Sequence, residues 1–345
     1  MIISTACDGL MTFTDRMFLS RLGTHQMNAA MGGGTTLQVF IFFFIGLIGY
    51  SNALVAQYVG ASDKQKASIV TFQSILLVVI AYPIILSLKP LAFLIFDIMN
   101  LPQQQVIFQV QYMNILAWGI AFVLLRYALS CFFTGIGKPA IVMYATITAL
   151  LLNVILDYIL IFGAWGFPSM GVEGAALATV LGSVGACVVL VFGYLQNKVI
   201  KEYGIAHSFH FNWVIMKKLL FFGYPAGVEM LLNFLAFTFM ILLFDSQGES
   251  VATATTIMFS WDLMTFIPLL GIEIAVTSLV GRYMGAGRPQ VAHRAALSGI
   301  KTGIFFSALV LVTFVCIPRY LVLVFSPATP SAVFDQTIPI AVAMI

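Results

Sequence analysis

Nine stretches of this chain are apolar over about 20 residues or more, the length of helix needed to cross a bilayer core. They cover residues 1–22, 35–58, 67–96, 103–134, 139–163, 171–197, 214–245, 251–284 and 295–325, and a tenth opens near Phe334. In hydrocarbon every backbone N–H and C=O must be satisfied within its own segment or within a closed barrel. The runs are too long and too evenly apolar for barrel strands, whose two faces alternate in polarity. The expected fold is therefore an all-α polytopic membrane protein. Charged residues make up only 8% of the chain and hydrophobic residues 61%. Soluble domains carry about 25% charge, and no soluble core takes up this much apolar surface.

Several function classes drop out at this level. The net charge is only +3 and the basic residues lie in loops, so nucleic-acid binding has no support. Cys7, Cys131, Cys187 and Cys316 are scattered singly through apolar runs and read as buried hydrophobes, not as a disulfide framework or metal site. The first segment carries Asp8, Asp15 and Arg16 and has no small-residue cleavage site, so it reads as a span rather than a signal peptide. Gly135-Ile-Gly-Lys-Pro139 lacks the spacing of a phosphate loop and reads as a turn with proline opening the next helix. His207 and His210 fall in a polar connector and read as solvated. Gly32-Gly33-Gly34 suits a close helix contact or a bend.

Loop charge sets the expected orientation. One set of loops holds Lys64, Lys66, Lys138, Lys198, Lys201, Lys217, Lys218, Arg282, Arg288 and Arg294; the other holds little beyond Arg21, Lys89 and Arg319. The positive-inside rule places the first set, and with it the N-terminus, in the cytoplasm, which implies a multi-pass protein of the plasma (inner) membrane. An internal repeat divides the chain. Leu54-Val-Ala-Gln-Tyr-Val-Gly-Ala-Ser-Asp-Lys-Gln65 is echoed by Leu279-Val-Gly-Arg-Tyr-Met-Gly-Ala-Gly-Arg-Pro-Gln290, at an offset of 225 residues. Both copies close an even-numbered span, so the halves share one orientation, as in parallel-repeat transporters. The expected organisation is a six-helix lobe over 1–197, a cytoplasmic linker over 198–212 and a second, incomplete lobe over 213–345. Two units of this length make a protein of about 450 residues with six plus six helices. On that count the sequence is expected to stop inside a tenth span, about 105 residues short, and to lack a turn or two of its first.

Acids inside spans are the leading functional signal, because a charge at the bilayer centre costs at least about 2.5–3.5 kcal/mol. Asp15 lies six residues before Arg21 and Asp157 six before Gly163. Tyr112 lies nine residues beyond Gln103, and Thr179 eight beyond Gly171. At about 1.5 Å per residue all four fall roughly 9–14 Å from the outer ends of their spans. Asn153 sits one turn from Asp157 on the same helix face. Two acids, an amide, a hydroxyl and a phenol at one level form an oxygen-rich pocket that suits a hard cation or a proton. Tyr112 or Thr179 alone reads as an interhelical hydrogen bond, worth about 0.6 kcal/mol; Asp15 and Asp157 read as functional.

These residues resemble a known family. Thr14-Asp-Arg-Met-Phe-Leu-Ser-Arg-Leu-Gly23 is similar to the first-helix motif of multidrug and toxic compound extrusion (MATE) transporters. Gly135-Ile-Gly-Lys-Pro139, Asn153-Val-Ile-Leu-Asp157, Gly163 and Gly171-Val-Glu-Gly-Ala-Ala-Leu-Ala-Thr179 resemble its fourth-to-sixth-helix pattern, and Gly223-Tyr-Pro225 with Pro268 to Pro289 its seventh and eighth helices. The resemblance implies a two-lobed antiporter that works by alternating access. Such a protein exports amphipathic, often cationic, small organic compounds in exchange for Na+ or H+. It implies a cation site at Asp15, Asn153, Asp157 and Thr179, with Tyr112 nearby, no cofactor beyond the coupling ion, no structural metal and no obligate protein partner. The chain departs from the pattern at Asn233, where many relatives carry a seventh-helix Glu; Glu229 lies one turn earlier. Asp262 and Glu273 are additional acids of the second half. They are expected to line a cavity there, or Glu273 to pair with Arg282 or Arg126. Asp8 shares a face with Asp15 and is a further cavity acid. Two other readings stay open: a lipid-linked oligosaccharide flippase of the same superfamily, which calls for a more basic cavity, and an intramembrane lipid-modifying enzyme, which calls for paired metal-binding carboxylates or a catalytic His.

Overall fold

The computed structural model describes residues 2–22, 24–98, 103–245, 249–323 and 332–344, and among these helix is the sole regular structure apart from turns. The first half comprises α1 (Ile2–Ser20), α2 (Thr24–Gly60), α3 (Lys64–Ser87), α4 (Lys89–Ile98), α5 (Gln103–Gly135), α6 (Pro139–Phe162) and α7 (Val172–Tyr194). A short helix, α8 (Asn197–Tyr203), leads to α9 (Trp213–Asp245), α10 (Glu249–Gly285), α11 (Pro289–Cys316), α12 (Pro318–Leu323) and α13 (Ala332–Met344). Among the described residues eight helices are long and apolar enough to cross a membrane: α2, α3, α5, α6, α7, α9, α10 and α11. The chain is thus an all-α polytopic membrane protein. Helix α1, expected as a span, does not meet that apolarity; its 19 residues include Asp8, Asp15 and Arg16. Residues 1, 324 and 325 of the expected first and ninth spans lie outside the described residues.

Local chemistry explains most helix ends. Asp63 caps α3 by accepting a hydrogen bond from the Lys66 N–H at 3.2 Å. Pro139 and Pro289 open α6 and α11, where a missing N–H costs nothing. Gly163 and Gly204 close α6 and α8 in the left-handed conformation. The structure corrects several expected boundaries. The span 295–325 starts earlier, at Pro289, and breaks before Pro318 into α11 and α12. The span 67–96 is two helices, because Pro90 has no N–H and clashes with a continuing turn, so the chain restarts at Lys89. Helix α2 begins at Thr24 rather than near 35. Gly32 and Gly33 lie so close to Gln109 of α5 that a Cβ on either would strike it, and this packing outweighs the low helix propensity of three glycines. The connector 198–212 is folded: α8 and the turn after it bury Val199, Tyr203, Ile205 and Ser208. The Tyr203 carbonyl accepts from Ser68 Oγ at 2.8 Å, and Gln73 Nε2 donates to the His210 carbonyl at 2.9 Å. His207 and His210 themselves are exposed.

The repeat is visible in the helix boundaries. Helices α2 and α10 are 37 residues each, and their ends coincide at the 225-residue offset. The turns that follow match as well: Ser62 (φ 62°) and Gly287 (φ 67°) hold the same repeat position in the same left-handed conformation. These two turns lie at one end of the bundle with the α5–α6 turn and α8. Lys64 Nζ is 2.9 Å from Glu202 and Lys138 Nζ 3.9 Å, and Arg282 rests beside Gly137. The hydrogen bond from Lys64 holds the Glu202 carboxyl below the usual carboxylate range.

At this basic end the repeat copies meet. A Cβ on Gly60 would fall on the Arg282 carbonyl, and one on Gly285 would fall on the Gln57 carbonyl. Gln57 and Arg282 are themselves repeat equivalents, so the contact is a reciprocal pair of glycine-on-backbone approaches. Ser278 Oγ donates to the Thr134 carbonyl at 2.9 Å and Arg282 Nη2 to the Ile136 carbonyl at 3.5 Å. Helix α10 thereby satisfies carbonyls at the C-terminus of α5, with a cation at the negative end of its dipole. Two outcomes are expected in thermal unfolding of the purified chain. Ser62→Gly, which relieves a left-handed non-glycine residue, should stabilise by about 0.5–1 kcal/mol. Gly60→Leu should destabilise by about 1–3 kcal/mol or more through overpacking.

Candidate functional site

Helices α6 and α7 approach through small residues. Gly174 packs on the Leu160 carbonyl, with 2.8 Å from its would-be Cβ, and Gly182 on the Ala149 carbonyl at 2.9 Å. With fully buried Ala178 between them they form a small-residue face at four-residue spacing, which lets two helix backbones come together in lipid. Helix α1 packs against the same pair. Asp15 on α1, Asn153 and Asp157 on α6 and Thr179 on α7 consequently point into one space.

Both oxygens of Asp15 are used. Asn153 Nδ2 donates to Asp15 Oδ1 at 3.0 Å, and the Thr179 hydroxyl lies 2.9 Å from Asp15 Oδ2. The same hydroxyl lies 3.0 Å from the Ala175 carbonyl, so its single proton is shared. Asp15 is 5% exposed, and Asn153 and Asp157 are 0% exposed. Asp15 is the acidic electrostatic neighbour of Asp157. Among the described residues neither carboxylate oxygen of Asp157 has a hydrogen-bond donor, nor has Asn153 Oδ1, and no Lys or Arg pairs with Asp157. Three buried acceptor atoms, both Asp157 carboxylate oxygens and Asn153 Oδ1, are thus left over.

A buried ionised carboxylate without a partner is strongly unfavourable. Two chemical remedies exist. A proton on one carboxyl turns an acceptor into a donor toward the other, or a cation binds among the oxygens. The donor set is oxygen alone, which fits Na+ or H+ rather than a soft transition metal. Among the described residues no three His, Cys, Asp or Glu side chains gather as a metal cluster.

Tyr112 is buried beside this cluster in an apolar layer with Leu19, Ala175 and Ala176, which lie one turn from Asp15 and Thr179 on their helices. Its ring lies against Gly33 and Gly34 of α2. The other acids fall elsewhere. Asp8 forms an ion pair with Arg126 Nη1 at 2.9 Å. Spacing on α1 could not disclose that pair, since it depends on α5 being adjacent. The Arg16 side chain lies outside the described residues. Glu273 pairs with neither Arg126 nor Arg282 among the described residues, because Asp8 engages the first and the Ile136 carbonyl the second. Its electrostatic neighbours are Glu229 on α9 and Tyr127 on α5. Glu229, Asp262 and Glu273 are all exposed. The repeat does not copy the site: Met240 stands at the position equivalent to Asp15.

Fold and site together define a polytopic helical membrane protein with a donor-poor acidic site buried in its first half. A family model, MatE, matches residues 1–159 and 225–342, and the chain belongs to that family. Among curated relatives, it is 29% identical over 301 residues to the probable multidrug resistance protein NorM of Bradyrhizobium diazoefficiens, covering 85% of this chain and 63% of that one. It is 27% identical over 330 residues to the probable NorM of Thermotoga maritima, covering 93% and 69%. The chain thus spans about two thirds of the length of these relatives. Among solved structures, a MOP superfamily transporter from Pyrococcus furiosus shares the fold with a TM-score of 0.88 at 23% identity, over 99% of this chain and 75% of the other. An outward-facing multidrug resistance MATE transporter gives a TM-score of 0.87 at 23% identity, with the same coverage.

The site makes a prediction about its own architecture. Thr179→Val and Asn153→Ala each remove one of the donors to a buried carboxyl, so each should destabilise the chain by about 1–3 kcal/mol. Thr179→Ser should be close to neutral, as measured by thermal unfolding.

Proposed function

We propose that this chain is the transport core of a secondary active antiporter that exports amphipathic, cationic organic compounds in exchange for Na+ or H+. The observation that carries the reading is the Asp157 carboxyl, whose two buried oxygens, with Asn153 Oδ1 beside them, have no donor among the described residues and would be balanced by an exchangeable proton or cation. In this reading Asp157 and Asp15 bind the coupling ion. Asn153 and Thr179 orient Asp15, and Tyr112 closes the apolar layer beside them. No cofactor is needed beyond that ion.

Coupling requires that each ligand bind the two arrangements of the halves with different affinity. The reciprocal contact of α2 and α10 joins the halves at the basic end, which the positive-inside rule assigns to the cytoplasm of a plasma membrane. Cation binding in the first half would favour one arrangement and substrate the other, as in rocking parallel-repeat transporters. The exposed acids Glu229, Asp262 and Glu273 suit a cationic cargo better than a pyrophosphate, which argues against a flippase. Family membership supports an exporter of small molecules; the identity of the cargo and ion rests on the acid chemistry.

The test is efflux of a cationic dye from cells expressing the protein. Asp157→Asn should abolish gradient-driven efflux while leaving membrane abundance unchanged, and Asp157→Glu should retain part of it. Undiminished efflux in Asp157→Asn would overturn the site assignment.

A further inference from the structure

A groove of about 930 Å³ runs between α2, α3 and α9, three helices long and apolar enough to cross a membrane. Its walls include Phe43, Phe44 and Leu47 of α2, Ile80 and Ile84 of α3, and Phe221 of α9. Leu47 is buried at 5% exposure, whereas Ile80, Ile84 and Phe221 present large exposed faces. Along α9 the residues Trp213, Lys217, Phe221 and Pro225 recur every fourth position and all line the groove, so it follows one face of that helix. From Trp213 to Pro225 the rise is about 18 Å, close to the depth of one leaflet.

Lys217 is the one charged side chain in this lining. It lies at the basic end, one turn into α9, and among the described residues no carboxylate pairs with it. Its neighbour Lys218 is directed to the Tyr58 hydroxyl at 3.4 Å, and the nearby acid Glu202 is engaged by Lys64 and Lys138. Trp213, 61% exposed, stands at the same level, where an amphipathic ring suits the membrane–water interface. The groove therefore offers an apolar slot as deep as a leaflet, an interfacial aromatic ring, and an unneutralised cation at its mouth.

We propose that this groove binds an anionic phospholipid, with an acyl chain in the slot and the phosphate at Lys217. A zwitterionic lipid fills the slot equally well but gives the lysine no net counter-charge, and an amphipathic cation is repelled by it. An anionic headgroup gains from each nearby lysine at a membrane surface. Two walls come from the first half and one from the second. A bound lipid therefore touches both sides of the seam that α2 and α9 share, and its affinity depends on how the halves are set. The proposal rests only on membrane embedding and not on the transport reading.

The test uses the full chain in phosphatidylcholine vesicles containing a fixed fraction of either brominated phosphatidylglycerol or brominated phosphatidylcholine. Quenching of Trp213 is read as the difference from a Trp213→Phe sample. Brominated phosphatidylglycerol should quench at about fivefold lower mole fraction than brominated phosphatidylcholine. Lys217→Gln should remove that preference, Lys217→Arg should keep it, and Lys301→Gln on exposed α11 should leave it unchanged. Equal quenching by both lipids in the wild type, or a preference that survives Lys217→Gln, would overturn the proposal. So would loss of the preference on adding inorganic phosphate at constant ionic strength, since the site would then be one for free phosphate.

Discussion

The carboxylate of Asp15 joins three helices. It lies on α1 and accepts from Asn153 on α6 and Thr179 on α7, so the position of α1 against the α6–α7 pair depends on how that one group is neutralised. The small residues Gly174, Ala178 and Gly182 bring α6 and α7 close enough for their two donors to reach a single acid. Asp157 then faces Asp15 with no donor of its own among the described residues. Structure and chemistry are linked at this point, because a proton or cation taken up there, as proposed, would change the charge that holds three helices together.

The backbone repeats, but the chemistry does not. Helices α2 and α10 share length and register, and the turns after them share a left-handed residue at Ser62 and Gly287. Gly60 and Gly285 make the same approach to each other's copy. This near-symmetry suits a seam that forms and parts as a unit, since packed interfaces hold discrete arrangements rather than bending continuously. The acids break the symmetry. Asp15, Asn153 and Asp157 lie buried in the first half, while Glu229, Asp262 and Glu273 in the second are exposed.

Much of this was legible in the sequence because lipid leaves few choices. Apolar length alone identified most of the spans. Charge bias placed the basic turns at one end, where Lys64, Lys138 and Glu202 meet. Counting residues from the span ends put Asp15, Asp157 and Thr179 at one level, and the resemblance helped select them. What stayed hidden depends on which helices become neighbours. The Asp8–Arg126 pair, which leaves Glu273 without an arginine partner among the described residues, and the capping of α5 by Ser278 and Arg282 both follow from tertiary adjacency. The early start of α2 was hidden for the same reason: three glycines suited a close contact or a bend, and Gln109 of α5 packing on them is what makes it a contact within one helix. The break before α4 was readable from Pro90 but was masked by the uniform apolarity around it.

The central claim is that Asp15 and Asp157 together take up a proton or a cation. Infrared difference spectroscopy on the purified chain in lipid, stepping Na+ concentration and pH, reads this directly through the carboxyl C=O stretch. The account expects a protonated-carboxyl band that responds to Na+ or to pH and is lost in Asp15→Asn with Asp157→Asn. A spectrum in which no buried carboxyl responds to either ion, or in which the same band persists in the double variant, would contradict it.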